Sequence, residues 1–285
     1  MIDFVGAGSG AADLITVRGK RLLEEADVII YAGSLVNPAL LDYAKEGCAI
    51  YNSAKMTLEE VLDVMFDAEA QGLRTVRLHT GDPCLYGAIR EQMDVLDMKG
   101  IPYTYTPGVS SFCGAAAALK AEYTLPNVSQ SVIITRMEGR TPVPEGEAMR
   151  KMASHGCSMV IFLSASLLDA LQDELVAGGA YTADTPAALV YKATWPDERV
   201  AYCTVGTIAQ TARENNMTKT TLVCVGGFLG SEYDRSKLYD PTFTTAFRKA
   251  SSHAEGAVNA GAADADAASA DTGASGADLD ALAAE

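Results

Sequence analysis

Histidine and tryptophan are scarce here: 285 residues contain three His and one Trp. Only His79, His155 and His253 could serve as an imidazole base, and no GxSxG elbow accompanies them. A triad hydrolase is therefore disfavoured. Ser9 lies within Gly-Ser-Gly, and Ser110 and Ser111 follow Gly108 in a turn that more simply caps the next helix. A CxxC pair is also absent. The six cysteines, at positions 48, 84, 113, 157, 203 and 224, are too dispersed for a zinc or disulfide framework. Several fall in apolar strand-like runs, so buried free thiols are expected and no metal site is. Nowhere does an apolar run reach the roughly 18 residues of a membrane helix. The start MIDFVGAGSG lacks the basic region and long apolar core of a signal peptide. A cytoplasmic location with no membrane association is the resulting expectation. No internal repeat is visible.

Basic and aromatic residues vanish altogether from Ala254 to Glu285, a stretch holding seven carboxylates among Ala, Gly and Ser. Such a composition buries too little apolar area to offset its ordering entropy. Residues 254–285 are expected to be a disordered tail, with a short Ala-rich helix as the alternative. Setting its seven acids aside leaves 30 acidic against 22 basic residues, a net charge near −8 where the whole chain has −15. A negative body argues against nucleic-acid binding, which needs clustered Lys and Arg. It leaves room for an anionic small molecule if basic residues gather locally.

The remaining 250 or so residues alternate strand and helix signals. Strands are predicted at Ile2–Val5, Asp27–Tyr31, Thr75–Leu78 and Tyr103–Tyr105. Helices are predicted at Arg18–Glu25, from a Thr57/Glu60 capping box to about Gln71, at Ala88–Met98, and through an Ala-rich run ending near Ala121. This order implies a mostly parallel sheet with helices on both faces, in an N-terminal α/β domain over residues 1–121. Residues 122–130 read as a linker. A C-terminal α/β domain over 131–240 follows, with strands at Ser131–Thr135, Met159–Leu163, Ala187–Tyr191, Val200–Thr204 and Thr221–Val225, and helices near Ser166–Val176 and Thr207–Glu214. The closer spacing of the late strands predicts a mixed, more antiparallel sheet.

Two stretches suggest a ligand site. In TVRLHTGDPCLYG, Thr75 to Gly87, an alternating run ends at Gly81-Asp82-Pro83. Gly81 permits a positive φ, and Pro83 restricts Asp82 to extended backbone, so a sharp loop forms at the carboxyl edge of the sheet. That edge is where α/β proteins bind small ligands. The second stretch, Gly6 to Ala11, resembles a dinucleotide loop. A conventional NAD site is opposed because the helix starts only after Asp13-Leu14-Ile15-Thr16, and because Tyr31-Ala32-Gly33-Ser34 stands where a ribose-binding acid belongs.

Read in order, VGAGSGAADLITVRG (5–19), ADVIIYAGSLV (26–36), TGDPCLYG (80–87), TPGVSSFCGAAAAL (106–119), ALVYKATWPDE (188–198) and TTLVCVGGF (220–228) resemble the tetrapyrrole (precorrin) methylase family over about residues 1–230. YAGSLV, NSAKM (52–56) and TRMEGRTPVPEGE (135–147) are most similar to the branch that methylates C11 of precorrin-4 or cobalt-precorrin-4. Two departures are visible. Many relatives carry Pro where this chain has Ser9, and the acid found near Gly33 in uroporphyrinogen III methyltransferases is missing.

The resemblance implies S-adenosyl-L-methionine as methyl donor, held between two α/β domains, usually in a homodimer. It places the donor at Ser9, Thr80, Gly81, Asp82, Leu85, Ser110, Ser111, Leu163 and Ala193, with Val190 and Thr221 as weaker neighbours. Asp82 is expected to position the donor through its polar end. The implied reaction is direct displacement of the sulfonium methyl by a ring carbon, requiring neither metal nor protein nucleophile, and no general base is identified. Anion partners for the acceptor's acetate and propionate groups are expected in Arg136 and Arg140, then Lys55, Arg90 and Lys192. Two alternatives stay open at this stage. One is another acceptor within the family, such as precorrin-2, precorrin-3B or uroporphyrinogen III. The other is a non-catalytic nucleotide-binding module.

Overall fold

The computed structural model describes residues 1–33 and 35–251. The expected tail at 254–285 lies outside the described residues. Residues 1–236 form one compact unit, and it contains two five-stranded sheets.

The first sheet is built from β1 (Ile2–Gly6), β2 (Val28–Tyr31), β3 (Ala49–Asn52), β4 (Thr75–His79) and β5 (Tyr103–Thr106). They lie in the order β3-β2-β4-β1-β5, and every pairing is parallel. Parallel strands need covering elements on both faces, and both are present. On one face Val5, Ile29, Val76 and Leu78 share a core with Leu22 and Leu23 of α1 (Val17–Glu25). On the other, Ile2, Phe4 and Ile30 pack with Val61 and Met65 of α2 (Leu58–Ala70) and Leu96 of α3 (Arg90–Met98). Helix α1 begins after Thr16, whose Oγ1 accepts from Gly19 N at 3.1 Å, well past the glycine loop. The Thr57/Glu60 capping box forms in both directions, and Gly72 ends α2 at φ +70°.

The Ala-rich α4 (Ser111–Leu119) leaves the first sheet and covers the second. Its Ala115 and Leu119 join Val160, Ala188, Val190 and Cys224 in one core. That sheet comprises β6 (Val132–Arg136), β7 (Ser158–Phe162), β8 (Pro186–Tyr191), β9 (Arg199–Thr204) and β10 (Thr221–Val225), in the order β6-β7-β10-β8-β9. Only β6 and β7 run parallel; the other pairings are antiparallel, as the strand spacing predicts. Its opposite face is covered by α5 (Met149–Ala153), α6 (Leu168–Ala177) and α7 (Ile208–Glu214). In the core between α4 and the second sheet Tyr123 is buried, its ring 5.0 Å from Phe228 and its hydroxyl donating to Phe112 O at 2.8 Å. Residues 237–251, the described part of a second unit, hold a short turn at Lys237–Tyr239.

Three sequence expectations need correction. Strand β3 goes unpredicted because it is a sheet edge whose side chains are mostly exposed, leaving no buried alternation to read. Helix α5 goes unpredicted because five residues span too little of a helical period. The cysteines are all free, but Cys224 alone among them is fully buried; Cys84 and Cys113 sit exposed on a loop and on the first turn of α4.

β1, β4 and β5 are neighbours and parallel, so three chain exits meet at one edge. They meet through glycine. A Cβ on Gly108 would lie 2.2 Å from Gly81 O and 2.8 Å from Gly6 Cα, and one on Gly6 would lie 2.6 Å from Gly108 Cα. Gly108→Ala is expected to destabilise the protein by about 2–4 kcal/mol in urea denaturation, because the contacts are backbone and cannot yield. Gly146→Ala, at a position with open space around it, is the matched control and should change stability by less than about 0.5 kcal/mol.

Candidate functional site

The glycine contact fixes three loops. Gly8 and Gly81 form an isolated antiparallel bridge, with Gly8 N donating to Gly81 O at 3.2 Å and Gly81 N to Gly8 O at 3.0 Å. Gly81 holds φ +60°, as the sequence requires. Asp82 ties its loop to the one after β5. Its Oδ1 accepts from Cys84 N at 2.9 Å and from the Tyr105 hydroxyl, and its Oδ2 accepts from Gly108 N at 3.0 Å. Partial burial works to raise this carboxyl, but the bonds from Tyr105, Cys84 and Gly108 outweigh it and hold the carboxyl below its ordinary value. Ser110 occupies the position that caps α4, yet its side chain makes no capping bond.

The second sheet supplies the facing wall. Leu163 follows β7 at φ +53°, and Lys192 and Thr194 follow β8 at φ +46° and +67°. Trp195 fills the space that a side chain on Gly10 would need, at 2.3 Å from its Cδ1. Thr194 Oγ1 accepts from Ala11 N at 3.0 Å and lies 3.1 Å from Ser9 Oγ. The glycine loop is thereby pinned to the second sheet.

Between these walls lies a cleft of about 600 Å³, within the range of small-molecule sites. Ser9, Thr80, Gly81, Asp82 and Leu85 line it from the first sheet, with Ser110 and Ser111 from the start of α4. Leu163, Val190, Ala193 and Thr221 line it from the second. Hydroxyls thus sit beside apolar side chains, a mixture usual in small-molecule sites.

The expected anion partners are distributed differently. Lys192 lines the cleft, its Nζ 2.6 Å from Asp197. Arg136, Arg140, Lys55 and Arg90 do not line it. The Arg136 guanidinium donates to the carbonyls of Met137, Thr141 and Pro142, bracing the loop after β6. It stands close enough to Tyr86, a cleft residue, to oppose the burial that raises that phenol's pKa. Arg90 pairs with Asp94 one helical turn away at 2.6 Å. Lys55 and Arg140 are exposed.

Sequence reading missed Arg77, His79, Tyr86, Phe162, Trp195 and Lys219, all of which line the cleft. Arg77 and His79 are 5% and 4% exposed. Burial lowers Arg77 to about 10. Burial, then the nearby Arg77 charge, lowers His79 to about 3, so this imidazole is uncharged at neutral pH. Among the described residues no three His, Cys, Asp or Glu side chains converge on a metal position, and no helix is long and apolar enough to cross a membrane.

Asp82 generates a pH prediction. Its folded pKa lies below its unfolded one, so its contribution is fully present above the unfolded value and is lost as pH falls through the folded one. Asp82→Asn places an amide donor against N–H donors and should cost about 1–3 kcal/mol near pH 7. The gap between thermal melts of the two proteins should be constant above the ordinary carboxylate range and narrow steadily as pH falls below about 4; a gap that does not change with pH would remove the charge from the explanation.

Comparison with known proteins agrees with this geometry. The family model for Tetrapyrrole (Corrin/Porphyrin) Methylases matches residues 1–209. The cobalt-precorrin-4 C(11)-methyltransferase of Methanocaldococcus jannaschii is 53% identical over 249 residues, covering 87% of this chain and 96% of the relative. The precorrin-4 C(11)-methyltransferase of a Sinorhizobium species is 44% identical, covering 87% and 98%. A crystal structure of a cobalamin biosynthetic enzyme, cobalt precorrin-4 methyltransferase, superposes with a TM-score of 0.79 at 44% identity, covering 81% of this chain and 96% of that one. The chain belongs to the tetrapyrrole (corrin/porphyrin) methylase family.

Proposed function

We propose that this protein is an S-adenosyl-L-methionine-dependent C-methyltransferase that methylates C11 of precorrin-4 or cobalt-precorrin-4 in corrin biosynthesis. The observation that carries the reading is one cleft, lined by hydroxyls and apolar side chains, in a chain whose full-length relatives bear that name. When bound, the donor supplies a sulfonium-activated methyl group that a nucleophilic ring carbon displaces, leaving S-adenosyl-L-homocysteine and releasing a proton from the acceptor. The residues proposed to hold it are Ser9, Thr80, Gly81, Leu85, Ser110, Ser111, Leu163 and Ala193, with Val190 and Thr221 beside them. Asp82 acts in this reading by fixing the loop that carries Thr80, Gly81 and Leu85, since both its oxygens already accept hydrogen bonds from protein.

An activated methyl group asks little acid–base work of the protein. What the chain must do is align donor and acceptor and keep water from the reacting atoms. The packed glycine loops give the alignment a stiff frame. Phe162, Leu163 and Trp195 give the cleft apolar cover. For the acceptor's carboxylates, Lys192 and Lys219 are the accessible cations of the wall, with Arg136 close to the cleft residue Tyr86. A homodimer, in the cytoplasm, belongs to the same reading.

Two measurements test it. By calorimetry S-adenosyl-L-homocysteine should bind and NAD should not; the reverse would indicate a dinucleotide site. Mass spectrometry of parallel reactions on precorrin-3B and precorrin-4, each with S-adenosyl-L-methionine, should show gain of one methyl on precorrin-4. Gain on precorrin-3B alone overturns the C11 assignment.

A further inference from the structure

Strand β4 reads Thr75-Val76-Arg77-Leu78-His79, and all five residues are buried. Val76 and Leu78 enter the core with α1. Thr75, Arg77 and His79 must then project from the opposite face, toward α3 and the core around Phe4 and Ile30. Arg77 Nε donates to Gln92 Oε1 and one terminal nitrogen donates to Ile30 O, both at 3.1 Å. Gln92 is itself oriented by donating to Ala88 O at 2.8 Å. These partners are neutral, and among the described residues no carboxylate pairs with Arg77 and no further acceptor meets the other donors of its guanidinium. His79 stacks on Phe4 with ring centroids 6.3 Å apart, and its buried Nε2 has no hydrogen-bond partner.

A buried cation without a counter-charge and a buried ring nitrogen without a partner are each costly. Here they occur two residues apart on one strand and both line the same cleft. A purely structural strut between β2 and α3 would account for the two Arg77 bonds. It would not account for a permanent charge there, nor for the bare His79 nitrogen. Among the described residues the only acid on the cleft wall is Asp82, and its oxygens are taken by Cys84, Tyr105 and Gly108. The missing negative charge has to arrive with a ligand.

We propose that Arg77 and His79 form a carboxylate-binding subsite at the β4 end of the cleft, filled only when a carboxylate-bearing ligand binds. Arg77 supplies the charge and spare N–H donors, Gln92 and Ile30 hold the guanidinium plane, and His79 donates through Nε2 as a neutral imidazole. The proposal rests on the reading of this cleft as the methyl-transfer site, where two carboxylate sources meet: the amino-acid end of the methyl donor and the side chains of the tetrapyrrole.

The test compares the parent protein with Arg77→Gln and Arg77→Lys, each checked by thermal melting. If the donor's carboxylate fills the subsite, Arg77→Gln weakens S-adenosyl-L-homocysteine by about tenfold or more. It then leaves 5′-methylthioadenosine, which lacks that carboxylate, within about twofold. If an acceptor carboxylate fills it, the acceptor KM rises about tenfold with kcat and homocysteine-form affinity nearly unchanged. Arg77→Lys should recover part of either loss. A folded Arg77→Gln protein that binds both ligands like the parent overturns the subsite. Should the variants not fold, the parent still decides: the 15N resonances of His79, identified after replacing the other two histidines, should shift with one ligand. No shift with either ligand overturns it. Failure of the underlying methyltransferase reading shows separately, as a parent protein that binds no S-adenosyl-L-homocysteine at all.

Discussion

Everything at the carboxyl edge of the first sheet depends on three backbones approaching to a distance that no side chain allows. Gly6, Gly81 and Gly108 end or follow β1, β4 and β5, and a methyl group on Gly6 or Gly108 would fall inside the van der Waals envelope of its neighbours. Chain segments that close lose their freedom to slide independently. The Gly8–Gly81 bridge and the three bonds to Asp82 then lock the segments in register. Loops are ordinarily the mobile part of an α/β protein; here five hydrogen bonds brace them, which suits a reaction whose main requirement is alignment.

The same edge settles the electrostatics of the cleft. Among the described residues its one acid is Asp82, which stays ionised with its oxygens turned to N–H and O–H donors of the loops. Arg77, Lys192 and Lys219 remain on the wall. Lys192 is matched by Asp197 and Arg77 by nothing. A chain that is strongly acidic overall thus presents a cationic interior surface to its ligand. Screening at physiological salt confines the repulsion of the acidic body to about 8 Å. Inside the cleft, short-range pairing decides.

Strain is concentrated there too. Tyr86, Leu163, Lys192 and Thr220 line the cleft with positive φ, and Ala88 and Thr194 flank it in the same region. Each position costs of order 1 kcal/mol. Sequence shows none of this, because non-glycine residues carry no mark of a left-handed backbone. Other features were legible. The parallel order of the first half, the antiparallel tendency of the second, the Thr57/Glu60 cap and the Gly81 turn follow from periodicity, spacing and turn chemistry. Resemblance placed Ser9, Thr80, Ser110, Leu163 and Ala193 on one expected pocket, and the two sheets bring those residues to one cleft. For Arg136 and Arg90 the sequence shows the charge but not the local partners, three carbonyls in one case and Asp94 in the other. Arg77 and His79 were not assigned to the site for the opposite reason. Alternation in TVRLH suggests a half-exposed strand, where such side chains need no explanation. Burial of both faces changes their meaning.

The second sheet is needed for more than a second wall. Thr194 reaches across to accept from Ala11 N beside Ser9, and Trp195 occupies the vacancy left by Gly10. The glycine loop is therefore shaped from both sides: by Gly81 below and by the β8–β9 connection above. Gly10 is in this sense a packing residue, and its role differs from that of a phosphate-binding glycine under a helix N-terminus. That difference explains why a loop so close in pattern to a dinucleotide motif stands apart from one. Helix α1 starts only at Val17, after Thr16 has capped it, and none of its residues lines the cleft. The glycine loop itself carries no helix terminus; the chemistry left to it is backbone hydrogen bonding and close apolar contact, while the one helix start on the cleft wall belongs to α4, at Ser110 and Ser111.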